Sequence, residues 1–400
     1  MKREDQILID LLADFVNGQS PGALPEVSLD ALYQTACKHN VTGIVAELLH
    51  PFLENAEEPA VRKLQESHMA TVFRSVLLEE EVKLFSARME EEKIPYAFFK
   101  GYELRELYPV PELRTMGDVD VLVRDEDLER TAEVLCGLGY QKEEGGGAVW
   151  AFKKDNFTYE VHRRLAFGSY WNDVDYEGYF AAAFDRLTTG EGSRRYFTPE
   201  DHFIFLCFHL AKHLNSTGAG IRMVMDLALF LKVYQDTLDW DYIRAQLELL
   251  QMDRFVKTVL YASGEWFGIP ANIDSADVQA DADTLDQLKY YIMTGGIFGF
   301  ERDDSIRRLR SGISGRTERA SFLIRLKALW RIAFPKKKHM VYFIPALERY
   351  PVLLPAAWIK RWRLGLQNRW KMKAAFKGID QSESLEEAKM QYRLLKKIGL

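Results

Sequence analysis

The stretch Tyr96-Ala-Phe-Phe-Lys-Gly101, followed by Arg114-Thr-Met-Gly-Asp118-Val-Asp120-Val-Leu-Val123, carries more of the fold than any other part of the chain. Tyr96 to Phe99 and Val119 to Val123 are short apolar runs of β-formers bounded by turn residues, and they read as buried strands. Side chains alternate faces along a strand, so Asp118 and Asp120 point one way and Val119 and Val121 the other. Two carboxylates ~5 Å apart repel by on the order of 3 kcal/mol at an effective dielectric of ~20. A cation between them removes that penalty. Hard divalent ions such as magnesium take oxygen ligands of this kind, together with substrate phosphates.

Upstream, the chain reads as helical as far as Lys93. Ile7, Leu8, Leu11, Leu12 and Phe15 follow helical spacing, and Pro59 to Lys93 keeps an apolar period with charged faces until Pro95 stops it. Downstream, Tyr102 to Tyr108 reads as a short helix and Asp125 to Leu138 as an amphipathic helix with acids in its first turn. Tyr140 to Glu143, Ala148 to Lys153 and Phe157 to His162 form a strand meander turned by Gly145-Gly-Gly147 and Asp155-Asn156. Beyond Asp173 the pattern is helical to the end. Thr198-Pro199-Glu200-Asp201 is a strong helix start: a capping threonine, a first-turn proline, then acids. The fold class is α+β. A small mixed-sheet core at 94–165 sits between an N-terminal helical region at 1–93, a second helical region at 166–300 and a basic helical C-terminal region at 301–400.

With 400 residues, 47% of them hydrophobic and 28% charged, the chain has the composition of a globular protein of two or three domains. The opening Met1-Lys-Arg-Glu-Asp-Gln carries acids and is not a signal-peptide start. The most apolar window, Met340 to Ile359, contains Glu348, Arg349 and three prolines, so no transmembrane helix is expected there. Cys37, Cys136 and Cys207 are widely spaced and odd in number, which fits free thiols in a reducing cytoplasm. Charge is unevenly spread. Residues 301–378 hold 20 Lys and Arg against 5 Asp and Glu, although the whole chain carries a formal net charge of −6. A basic segment on an acidic body points to contact with something anionic, or with the body itself.

A third acid enters through Tyr159-Glu160-Val-His162, where Glu160 shares a strand face with His162. If this strand pairs with the Asp118/Asp120 strand, three carboxylates converge, with a gross repulsion near ~10 kcal/mol. Such a cluster holds metal, stays partly protonated, or is spread farther apart. Phe99-Lys-Gly101, Tyr108-Pro109, Arg114, Gly117 to Val123, Gly139-Tyr140 and Glu160-Val-His162 together resemble the DNA polymerase β-like nucleotidyltransferase superfamily. More narrowly, they resemble the bacterial "uncharacterised nucleotidyltransferase" family. His39-Asn-Val41, Thr198-Pro199-Glu-Asp201, His209…His213, Met225-Asp226-Leu227, Phe334-Pro335 and Tyr350-Pro351 are similar to that family's helical regions.

The resemblance implies a nucleotidyltransferase-type mixed sheet and a metal-dependent nucleotidyl transfer. Asp118, Asp120 and Glu160 would be both the catalytic acids and the ligands of Mg²⁺ or Mn²⁺. A nucleoside triphosphate would be attacked at its α-phosphorus by a hydroxyl of a small molecule, sugar, lipid-linked group or protein, and pyrophosphate would leave. Glu160 would help deprotonate the acceptor. The Lys100-Gly101 turn, the helix start behind it, Arg114 and His162 would hold the nucleotide, with Lys100 and Arg114 on the β and γ phosphates. The serine usual after the glycine is Tyr102 here, and the interval from Gly101 to Asp118 is long for the superfamily. A degenerate nucleotide-binding scaffold would share these features. A nucleotide-sugar glycosyltransferase also uses Asp-x-Asp, but without the Lys-Gly turn.

Three further features have plainer readings. His209 and His213 sit one helical turn apart, but His-Leu-Ala-Lys-His lacks a zinc-protease glutamate, so a packed helix face lining an acceptor pocket with Asp226 is the better reading. Gly295-Gly-Ile-Phe-Gly299 has no dinucleotide or Walker pattern and reads as a bend. Trp330, Trp358, Trp362 and Trp370, interleaved with Lys336-Lys-Lys338 and Arg361-Trp-Arg363, suit inward-packed aromatics under a cationic surface. Contact with an anionic membrane surface ranks next, ahead of nucleic acid.

Overall fold

The computed structural model describes residues 1–53, 59–143, 147–168, 170–270, 282–296, 304–313, 321–337, 340, 344, 346–367 and 382–400. The expected turn at Gly145-Gly146, the Ile297 to Gly299 part of the glycine bend, Lys338 and Trp370 lie outside them. The chain forms two compact units, one of Met1–Asn215, Ala219–Ile297 and Gly399–Leu400, the other of Ser216–Gly218 and Phe298–Ile398.

The first unit opens with helices α1 (Arg3–Asn17), α2 (Leu29–His39), α3 (Thr42–Leu53) and the long α4 (Pro59–Glu91). α4 buries Leu78, Val82, Phe85 and Met89, a helical stripe that ends where Lys93 turns with φ +53° ahead of Pro95. β1 (Tyr96–Phe99) follows, then the single turn α5 (Gly101–Leu104) and β2 (Val119–Val123). Next come α6 (Leu128–Gly137), β3 (Gln141–Lys142), β4 (Val149–Lys154) and β5 (Phe157–His162). The sheet order is β1-β2-β5-β4-β3. β2 and β5 run parallel at its centre, and the other pairs are antiparallel. α6 and the β3–β4 strands are the crossover that a parallel pair requires.

Strand alternation divides the two faces. Tyr96, Phe98, Val119, Val121, Val123, Tyr159 and Val161 join Phe85 and Met89 of α4 and Leu128 and Leu135 of α6 in one buried core. Phe99, Asp120, Glu160 and His162 take the opposite face. That face is covered by α8 (Pro199–Asn215), through Phe99 against Phe205 with ring centres 5.4 Å apart. α8 begins as its sequence requires, with Thr198 Oγ1 accepting from the Asp201 N–H at 3.2 Å. Ahead of it lie α7 (Tyr176–Phe180) and a feature the helical reading of this region missed, a hairpin of β6 (Thr188–Thr189) and β7 (Arg195–Tyr196). Two-residue strands are too short to show a period, so periodicity could not reveal them. α9 (Ile221–Tyr234), α10 (Trp240–Leu249), α11 (Asp253–Phe267) and α12 (Ala282–Gly295) complete the unit.

The second unit holds α13 (Asp304–Gly312), α14 (Ser321–Ala333) and further helices at Ala346–Arg349, Leu354–Gln367 and Ser382–Lys397. Leu309, Ile324 and Ala388 lie at the centre of its core. Trp358 and Trp362 pack inward around Phe334 and donate to the Pro335 and Ala333 carbonyls at 2.9 and 2.8 Å. Trp330 does not. It is 62% exposed, on the same side of α14 as Phe322 and Leu326. No helix among the described residues is long and apolar enough to cross a membrane.

Candidate active site

Parallel pairing of β2 with β5 sets Asp120 opposite Glu160 and Leu122 opposite His162. Ligand-type atoms of Asp120, Glu160 and His162 lie within 4.8 Å of one another. The His162 Nε2–H donates to Asp120 Oδ1 at 2.8 Å and stands 3.4 Å from Glu160 Oε2. Lys100 Nζ donates to the same Asp120 oxygen at 2.6 Å. Asp118, immediately before β2, lines the same cavity but stands outside this tight trio.

These neighbours set the charges. Burial by itself would raise the Asp120 carboxyl, but Lys100 and His162 hold it down at about 2. Glu160 is lowered mainly by its hydrogen bond to His162, against its burial. Asp118 has no hydrogen bond to Lys100 or His162, and their charges pull on it less than its other surroundings push. Burial and the charges of Asp120 and Glu160 push it up to about 6. For Lys100, burial favours the neutral form, and Asp120 outweighs it to raise the ammonium overall. Two adjacent carboxylates thus differ widely in proton affinity, a pattern concentrated at functional sites.

Lys100 is held in an unusual backbone conformation, φ 55° and ψ −125°. That is the first central position of a type II′ turn, normally glycine's. A side chain there costs on the order of 1–3 kcal/mol. It is sustained by the Asp120 ion pair at one end and the Gly101 turn at the other. A Cβ at Gly101 would lie 2.8 Å from Arg114 Nη1 and 3.1 Å from Met116 Sδ, so no larger residue fits. The helix after the glycine is a single turn, too short for much dipole at the site.

Arg114 lines the same cavity and is also clamped to α9. Its Nε and Nη2 donate to the two carboxylate oxygens of Asp226 on α9 at 3.1 and 2.8 Å, with both side chains buried. The Tyr108 hydroxyl donates to the same carboxylate at 2.6 Å. Thr115 Oγ1 donates to the Asn40 carbonyl at 2.8 Å, and Arg222 Nη1 donates to the Thr115 carbonyl at 2.7 Å. His39 Nδ1 accepts from the Ile221 N–H at 3.3 Å. The His39-Asn40 and Asp226 signatures therefore brace the loop that aims Asp118 and Asp120.

Lys100, Gly101, Arg114, Asp118, Asp120, Glu160, His162 and Asp226 line a cavity of about 500 Å³, roofed by Phe205, Phe208, His209, Lys212 and His213 of α8 and Arg222 and Met223 of α9. Burial, followed by neighbouring positive groups, lowers His213 to about 4 and shifts His209 and Lys212 down as well. One wall is acidic and the other cationic. Sequence reasoning gave Lys212 and Arg222 no role. The signal for Lys212 was present, since His209, Lys212 and His213 fall at i, i+3 and i+4 on one helix face. Nothing local marks Arg222, which only the tertiary fold brings in.

A central mixed sheet, flanking helices and a carboxylate cluster at the edge of a polar cavity define a nucleotidyltransferase-type α+β fold. The chain belongs to the family described as uncharacterised nucleotidyltransferase, whose model matches residues 25–268, more than half of its length. No curated protein and no solved structure matches it.

Proposed function

We propose that the protein transfers a nucleoside monophosphate from a nucleoside triphosphate to a hydroxyl acceptor, with Mg²⁺ or Mn²⁺ as cofactor. One observation carries the reading: Asp120 and Glu160 stand opposite each other on adjacent parallel strands, beneath a cavity whose far wall is cationic. The donor set suits a divalent cation. Asp120, Glu160 and Asp118 supply carboxylate oxygens, which Mg²⁺ and Mn²⁺ both take. When bound, the cation would neutralise the phosphates and stabilise charge on the attacking and departing oxygens.

The chain's own groups do the rest. His162 fixes the Asp120 carboxylate through Nε2–H and steers Glu160. Lys100 neutralises Asp120 where a polyphosphate would otherwise meet a bare acid. Glu160, ionised and partly open to the cavity, accepts the acceptor hydroxyl's proton as the new P–O bond forms and pyrophosphate departs. The helical wall from α8 and α9 shapes the acceptor pocket. A binding-only variant of this reading is favoured by the Lys100–Asp120 pair, which balances charge without a metal. Three cysteines without disulfides fit the reducing cytoplasm as its compartment. An anionic membrane surface is the partner proposed for the second unit, because Trp330, Phe322 and Leu326 stand exposed beside Arg325, Lys327 and Arg331.

The test is thermal melting with Mg²⁺ and a panel of triphosphates, then labelled triphosphate incubated with cell extract. Stabilisation by metal plus triphosphate, and transfer of label to one class of acceptor, are expected. Glu160→Gln and Asp118→Asn should remove both while leaving the unliganded melting point nearly unchanged, since neither side chain is fully buried. Undiminished stabilisation in both variants would reject the site. Binding without any transfer or pyrophosphate release would select the binding-only form.

A further inference from the structure

The cavity contains four long cations, Lys100, Arg114, Lys212 and Arg222. Three are already employed. Lys100 is paired with Asp120, Arg114 with Asp226, and Arg222 is anchored to Thr115. Lys212 makes no hydrogen bond or ion pair among the described residues. Its ammonium stands 5.9 Å from the ring centre of Phe167, at the outer limit of a cation–π contact, and Phe167 is itself half exposed. Lys212 lines the same cavity as Lys100, Asp120 and Glu160, which places it across from the acidic cluster. A half-buried ammonium that lines a cavity without an anion beside it is poised to take one from a ligand.

We infer that Lys212 is the anchor for the terminal phosphates of the triphosphate, the role that sequence position suggested for Arg114. The inference rests on the nucleotidyl-transfer reading and extends it. α8 thereby places a cation opposite the acidic cluster. The α-phosphate then lies near Asp118, Asp120 and Glu160, and the β and γ phosphates lie along the helix. His209, on the same helix face, has no hydrogen bond among the described residues, and its ring stacks on Phe205. It would border the phosphates without carrying charge, since burial keeps it neutral. As pyrophosphate leaves, Lys212 stays with it, so the residue assists both triphosphate binding and departure.

The experiment is calorimetric titration of the full chain with Mg²⁺ and α,β-imido purine and pyrimidine triphosphates, and with the monophosphate of whichever base binds. Lys212→Met is expected to lose about tenfold or more in triphosphate affinity, the loss of one charge-assisted contact. Monophosphate affinity should stay constant, and Lys212→Arg should recover most of the loss. Equal weakening of both ligands, or no weakening of either, would overturn the assignment. Wild-type protein that binds no nucleotide would instead sink the nucleotidyl-transfer reading itself, and the inference with it.

Discussion

At Lys100 a charged side chain and a reluctant backbone meet at one position. The positive φ argues for glycine, and the buried Asp120 argues for a cation. Both Lys100→Gly and Lys100→Ala leave Asp120 without its ammonium, a loss on the order of 3–5 kcal/mol for a buried pair. Only glycine releases the backbone strain. Lys100→Gly is therefore expected to be the more stable of the two by about 1 kcal/mol or more, measured by urea denaturation. Equal stabilities would mean that the turn relaxes freely and stores nothing.

Individual elements of the site are held by their ends. The loop from Arg114 to Gly117 is pinned to α9 by a two-pronged ion pair, and its neighbour Thr115 to the end of α2. Asp226→Ala should destabilise the protein by about 3–5 kcal/mol, because the guanidinium is left buried and alone. The double variant Arg114→Met, Asp226→Leu should regain much of that, as a double-mutant cycle would register. Full additivity would show that the two groups stand independently. α8 supplies a pH signature. His202, packed between Phe197 and Phe230, is lowered to about 4 by burial alone. The folded protein keeps it neutral while the unfolded chain protonates it near its ordinary 6.5. Stability from this group is thus present above pH 6.5 and is lost as pH falls toward 4. Asp118, raised to about 6, works in the opposite direction, so the comparison must be made against a variant. His202→Phe should gain on wild type by up to about 3 kcal/mol across that interval, followed by chemical denaturation at fixed ionic strength.

For the whole molecule, the central strands were legible because Val119 to Val123 and Phe157 to His162 are apolar runs with clear limits, and because Asp-x-Asp and Glu-x-His each mark a face. Their parallel pairing was not legible locally, since nothing in either run states its neighbour. The clamp on Arg114 was hidden for the same reason: its partner Asp226 lies 112 residues away and carries no local sign of the pairing. Lys212 was not legible as part of the site because a lone lysine on a helix face reads as a solvated charge, and only the tertiary fold sets it over the acids. In the second unit, inward Trp358 and Trp362 followed the expected packing, while Trp330 with Phe322 left an apolar strip among cations. The intact protein should co-sediment with vesicles rich in anionic lipid and be released by salt, with Trp330→Ser weakening retention. Absence of retention at low salt would discard the membrane partner.

The interval between Arg114 and Asp226 also bears on biosynthesis. A ribosome adding about 5–20 residues per second takes several seconds to make the helix that completes the clamp after the arginine has appeared. His162, 42 residues beyond Asp120, likewise arrives after the acid it restrains. The Asp118 and Asp120 pair is thus made together with its upstream partner Lys100, and well before the downstream groups that complete its surroundings.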